Sequence, residues 1–211
     1  MNQMVHSAMT ASQPRERLLA AAVEQARRGG IADLSLRELA AAIGTSHRML
    51  LYHFGSREGL LVAIARAVEE AERATLLGWG VTPEDARRFW PRISDPAMWP
   101  TERLFFELYV QALFGRLGDD QFLDSTVEGW IAPVAAAMVQ AGGGAATARA
   151  DARLGLAVVR GLLLDLLATG DRAGVTEAYE RFLQLYEPSG PPDQPGGQAS
   201  AATNAAQSSG R

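Results

Sequence analysis

Residues 35–56 read Ser-Leu-Arg-Glu-Leu-Ala-Ala-Ala-Ile-Gly-Thr-Ser-His-Arg-Met-Leu-Leu-Tyr-His-Phe-Gly-Ser. Leu36, Leu39, Ala40 and Ile43 recur at i, i+3, i+4 and i+7, the spacing of one buried face of a helix. Ser35 and Glu38 have the spacing of a capping box, in which each side chain satisfies an amide at the helix start. Gly44 ends that run, and a second short helix is expected from near Ser46 to Phe54-Gly55. Two short helices joined by Gly44-Thr45-Ser46 cross steeply. Leu50 and Phe54, four apart, anchor the inner edge of the second, leaving His47, Arg48, Met49, Leu51, Tyr52 and His53 around the rest.

That second helix has the size to enter a DNA major groove, with its first side chains reaching base edges. Arg48 can bond guanine with two donors, and Met49 or Leu51 can touch a thymine methyl. Ser46 and the helix N-terminus suit a phosphate, because free amides and the helix dipole both favour an anion. Arg57 adds a charge on the same side. The same pattern also serves as a plain helical corner in a bundle that touches no nucleic acid, and the residues alone leave both readings open.

Working outward, apolar residues recur at helical spacing along the chain, and no stretch alternates with period two for long enough to argue a strand. An all-α fold is expected. Residues 1–13 are expected to be flexible, with a first helix from after Pro14 to Gly29-Gly30. A fourth helix, capped by Ser56, is expected to reach Leu77. Residues 78–100 hold four prolines and three tryptophans and predict only a short helix around Glu84–Arg88. Longer helices are expected at 101–117, 120–140, 147–168 and 171–186. The Pro-, Gly- and Ser-rich tail, 187–211, is expected to be disordered. The domains are read as 14–60 for the helix-turn-helix and 61–186 for the rest.

Composition removes other classes. The 211 residues contain no cysteine, which excludes a disulfide framework and a thiolate nucleophile. The first thirteen residues lack the apolar core of a secretory signal. Arg160 and Asp165 interrupt the longest apolar window. The expectation is a soluble cytoplasmic protein away from membranes. The net charge of −4 hides an asymmetry: residues 1–60 carry seven arginines against five acids, whereas the remainder is acidic. A small basic head on an acidic body is a common layout for a nucleic-acid binder with a second task.

Leu-Arg-Glu-Leu-Ala-Ala-Ala-Ile-Gly-Thr-Ser at 36–46, followed by Leu-Leu-Tyr-His-Phe-Gly-Ser-Arg-Glu-Gly-Leu-Leu at 50–61, resembles the N-terminal domain of the TetR family of bacterial transcriptional regulators. The likeness covers roughly residues 15–62. It implies an N-terminal three-helix helix-turn-helix domain and a C-terminal helical bundle that binds a ligand and dimerises. It implies DNA contacts from Arg37, Thr45, Ser46, His47, Arg48, Met49, Leu51, Tyr52, His53 and Arg57. Within that set, His47 and Arg48 fall at variable base-reading places, and His53 and Arg57 match phosphate contacts. Leu51 departs from the pattern, which more often has tyrosine there. The function implied is a repressor released from a pseudo-palindromic operator by a small molecule. An activator, or a regulator of the same fold that answers no small molecule, is the alternative.

In the body, Trp79, Phe89, Trp90, Trp99, Phe105, Phe106, Tyr109 and Trp130 are ordinary core candidates by composition. The resemblance adds a pocket among them, and such rings suit an apolar or aromatic effector. Glu102, Glu107 and Glu128 are candidates for a cationic ligand, with surface solvation the commoner role for each. The adjacent pairs Glu69-Glu70 and Asp119-Asp120 read as solvated ends. Residues 147–168 are apolar on nearly all sides, so this helix must be covered twice, and a second subunit is the natural second cover. Leu154, Val158, Gly161, Leu162, Asp165 and Leu166 are the candidate dimer contacts. No phosphate loop, metal-ligand cluster or nucleophile-base-acid set is visible, so neither catalysis nor a cofactor is expected.

Overall fold

The computed structural model describes residues 2–28, 31, 34–119 and 121–185, with side chains from residue 13 onward. These residues form α1 (Asn2–Arg28), α2 (Leu36–Ala42), α3 (His47–Phe54), α4 (Arg57–Trp79) and α5 (Pro83–Ile93). A 3₁₀ turn, Pro96–Met98, leads into α6 (Trp99–Leu113), α7 (Phe122–Gln140), α8 (Ala148–Thr169) and α9 (Arg172–Gln184). Among the described residues there is no strand, and no helix is long and apolar enough to cross a membrane.

Several expected boundaries move, among them the end of α6, at Leu113 instead of residue 117. Helix α1 starts at Asn2 instead of after Pro14, so the segment expected to be flexible is helical and Pro14 lies inside it. Residues 2–13 hold no glycine and are rich in Ala, Met and Gln, so one lost amide at Pro14 does not end the run. Helix α5 is longer than expected. Thr82 and Asp85 form a capping box and Pro83 occupies the first turn, where its missing amide costs nothing. Helix α4 passes through Gly78 and stops at Gly80, whose φ of 131° only glycine adopts readily. The Gly29-Gly30 stop, Tyr186 and the tail 187–211 lie outside the described residues.

The largest core ignores the expected division at residue 60. Ala22 and Ala26 of α1, Leu36 and Leu39 of α2 and Leu50 of α3 pack with Leu60, Leu61 and Ile64 of α4. Leu104, Phe105 and Leu108 of α6 belong to the same cluster. A second cluster joins Phe89, Trp90 and Ile93 of α5 to Leu163 and Leu166 of α8 and to Val175, Tyr179 and Leu183 of α9. A third, small-residue cluster sets α7 on α8. Helix α4 therefore has its first half in the core of the N-terminal helices and its second half against the body.

Candidate DNA-reading head and buried cavity

At the tip, each short helix is capped by a residue beside it. Ser35 Oγ accepts from the Glu38 amide while Glu38 Oε2 accepts from the Ser35 amide, the reciprocal box expected from the spacing. These bonds hold the Glu38 carboxyl below its usual range. Gly44 turns the chain at φ 69°. Ser46 Oγ then accepts from the Met49 amide at 3.2 Å, so its lone pair serves the cap. Ser56 repeats the arrangement on the Gly59 amide at 2.9 Å. Gly59 has no room for a side chain, because a Cβ there would collide with the Phe54 carbonyl oxygen where α3 meets α4.

Leu50 is fully buried and Phe54 packs half-buried on the same core, with the Arg15 guanidinium 5.1 Å from its ring. This seating points Arg48, Met49, Leu51 and Tyr52 outward, Tyr52 being 78% exposed. Arg37 and Ser46 are exposed beside them, and Thr45 and His47 are half-buried. Two of the expected phosphate contacts face partly inward. His53 Nε2 is shut away from solvent, with no hydrogen-bond partner among the described residues. Arg57 Nε donates to the Leu34 carbonyl at 2.8 Å and clips the start of α4 to the segment before α2.

The body holds a cavity of about 370 Å³, partly open to solvent and bounded by α4 to α9. Phe89, Phe105, Phe106 and Trp130 line it. Trp79, Trp90, Trp99 and Tyr109 do not. Trp90 stacks on Tyr179 at 4.6 Å and donates its indole N–H to Thr176 Oγ1, so it is a packing residue of the α5–α9 contact. Trp99 donates to the Ser94 carbonyl, Trp79 lies against Phe89 under Arg88, and Tyr109 packs on the head's core.

The cavity also holds charge that residue spacing does not reveal. Glu69, Glu72, Glu102 and Arg160 line it. Glu72, 3% exposed, receives Arg92 Nε at 2.6 Å and Nη2 at 2.9 Å, a two-point pair that raises the Arg92 guanidinium further. Glu69 accepts from the Trp130 indole at 2.7 Å and from Arg160 at 3.4 Å, and burial outweighs both to push its carboxyl up. Arg160 Nη2 also donates to the Thr126 carbonyl at 2.7 Å. Glu102 is 8% exposed, and no hydrogen-bond donor among the described residues reaches it. Burial first, then Glu69 and Glu72, push its carboxyl up to about 8. Glu69 and Glu102 are thus interior groups and not the solvated ones expected. Their helices turn these positions toward partners far along the chain, which neither position betrays by itself. Glu107 is exposed, and Glu128 pairs at the surface with Arg149 and Arg153.

On α8, Leu154, Gly161 and Asp165 are exposed, Val158 and Leu162 half-buried, and Leu164 is exposed beside them. Leu166, expected on this face, is fully buried against α5 and α9, because it follows Leu163 by three residues onto the inner side. Arg160, on the inner side of the same helix, lines the cavity.

The profile of the tetR family of bacterial regulatory proteins matches residues 18–64. No curated protein sequence matches the chain. Among solved structures, a transcriptional regulator from Rhodococcus sp. Rha1 superposes with a TM-score of 0.64 at 22% identity, covering 81% of this chain and 94% of its own. A TetR-family regulator from Rhodococcus sp. is 26% identical with a TM-score of 0.59, covering 83% and 96%. The multidrug binding protein EbrR, complexed with proflavin, is 25% identical with a TM-score of 0.57, covering 81% and 98%.

Proposed function

We propose that this chain is a DNA-binding transcriptional regulator of the tetR type, a dimeric repressor released from its operator by a small molecule held in the cavity of the body. The observation that carries this reading is α4. Its Leu60, Leu61 and Ile64 belong to the core that seats α2 and α3, and its Glu69, Glu72 and Leu76 form a wall of the cavity. A ligand that favours one position of this helix biases the orientation of the reading head. A coupling of about 1–3 kcal/mol is the usual scale for such linkage. The neighbour EbrR is a multidrug binding protein complexed with proflavin, which supports a small-molecule ligand for this fold.

The outer face of α8 supports the dimer. Leu154 and Leu164 are half-exposed, large and apolar, and Gly161 presents open space where another helix can approach closely. A two-fold dimer of this kind presents two α3 helices about 34–36 Å apart, one turn of DNA, and reads a pseudo-palindrome.

The test is a gel shift of the purified protein on genomic fragments over a range of salt, followed by titration of candidate effectors into the complex. A sequence-specific complex that weakens with salt and dissociates as effector is added supports the reading. An effector that binds tightly and leaves DNA affinity unchanged overturns the switch for that compound. Light scattering on Leu164→Glu checks the dimer: a monomer with reduced operator affinity is expected, and an unchanged dimer removes α8 from the interface.

A further inference from the structure

The cavity is apolar over most of its wall, and its polar groups are unequally provided for. Arg92 neutralises Glu72 with two hydrogen bonds. Arg160 and the Trp130 indole serve Glu69, with Arg73 adding a more distant positive charge. Glu102, from the first turn of α6, lines the same space without a donor of its own. A buried carboxyl without a partner is costly when ionised, so it stays neutral unless an opposite charge reaches it.

We propose that the cavity accepts a cation on an aromatic body, its charge seated against Glu102 and its rings among Phe89, Phe105, Phe106 and Trp130. The inference rests on the reading of the cavity as the effector site and names the chemical class of that effector. An anion is disfavoured. Among the described residues, Arg160 is the one guanidinium that lines the cavity; it is occupied by Thr126 and Glu69 and lies 5.1 Å from the Phe105 ring. Glu69 and Glu72, although paired, still act on Glu102 as like charges that Arg160 only partly offsets. A cation gains from Glu102, from that field and from the faces of the rings.

Binding is then coupled to a proton. The empty site keeps Glu102 protonated in neutral solution, because burial and the two neighbouring carboxylates raise it to about 8. An arriving cation favours the ionised form, and the proton leaves to solvent. The titratable and charged groups around Glu102 are Glu69, Glu72 and Arg73 from α4, Arg92 from α5, Asp151 and Arg160 from α8, and Tyr179 from α9. Tyr179 is itself pushed up to about 12 by burial and stays neutral in this range.

The experiment uses the full chain without DNA and two ring systems of one shape, the permanent cation N-methylquinolinium and neutral 1-methylnaphthalene. Calorimetry in two buffers of different ionisation heat counts protons. The cation is expected to bind about ten- to a thousandfold tighter than the hydrocarbon. It should release close to one proton at pH 7 and gain up to about 50-fold in affinity between pH 6 and pH 8. Glu102→Gln should abolish the preference and the pH dependence while leaving 1-methylnaphthalene binding intact, which shows that the cavity has kept its shape. Glu107→Gln, on the exposed side of the same helix, should change nothing. Equal, pH-independent binding of both probes by the unaltered protein overturns the cation inference and leaves the effector site standing. Binding of neither removes the effector site itself, and the inference with it.

Discussion

In the head, the side-chain caps that start the helices link residues three apart, Ser35 with Glu38, Ser46 with Met49 and Ser56 with Gly59, while Arg57 reaches 23 residues back to the Leu34 carbonyl. Around the cavity the partners are separated by 20 residues for Arg92 and Glu72, 61 for Trp130 and Glu69, and 91 for Arg160 and Glu69. The head shows its chemistry to solvent on a helix whose geometry is largely set by its neighbours in sequence. The cavity exists only when the six helices α4 to α9 have assembled, and its carboxylates are held at low exposure. Loss of a group in the head should therefore affect binding more than stability. Loss of a group at the cavity should affect both.

The largest expected effect is at the cavity. Arg92→Ala leaves the Glu72 carboxylate buried without its guanidinium and should lower stability by about 2–4 kcal/mol in denaturant melts. The lower part of that range applies because Arg92 is itself 42% exposed. A loss no greater than that of a head cap would mean the two regions hold their charges equally loosely. Next, Arg48→Ala should weaken operator binding by roughly 1–3 kcal/mol and relax one base position, with no change in melting temperature. Uniform weakening on every sequence would make Arg48 a backbone contact.

A third test uses pH. The Glu102 carboxyl ionises near its ordinary 4.5 in the unfolded chain and near about 8 when folded, so between those values the folded state holds the extra proton. Stability from this group is present at acid pH and declines as pH rises through that window, by at most about 1.4 kcal/mol per pH unit. Glu102→Gln should flatten the profile between pH 5 and 8, and an unchanged slope would place its origin elsewhere. The smallest effect is expected from Ser46→Ala, about 1 kcal/mol of stability from the lost cap. A much larger loss would show that α3 depends on this cap more than on Leu50.

The same difference in range explains what could be read from the residues. The Ser35/Glu38 box, the Gly44 turn, the Leu50 anchor and the outward set Arg48, Met49, Leu51 and Tyr52 are consequences of spacing within one or two turns. The aromatic lining was half legible. Phe105 and Phe106 follow from their place on α6, yet Trp90 and Trp99 have the same composition and face other helices. Glu69 and Glu102 looked solvated because nothing near them in sequence supplies a partner. Arg57 was legible as a cation at the right corner, but its bond to the Leu34 carbonyl depends on how α1 and α4 enclose the segment between them.

The core that runs from Ala22 through Leu50 and Ile64 to Phe105 and Leu108 has a practical consequence for protein engineering. Regulators are often recombined by joining the DNA-reading part of one to the sensing part of another. A cut at residue 60 in this chain would separate Leu60 from Leu61 and remove the α6 side chains on which the head rests. A chimera made there inherits mismatched shapes at the seam. A viable graft must carry the first half of α4 and re-match Leu104, Phe105 and Leu108 in the recipient body.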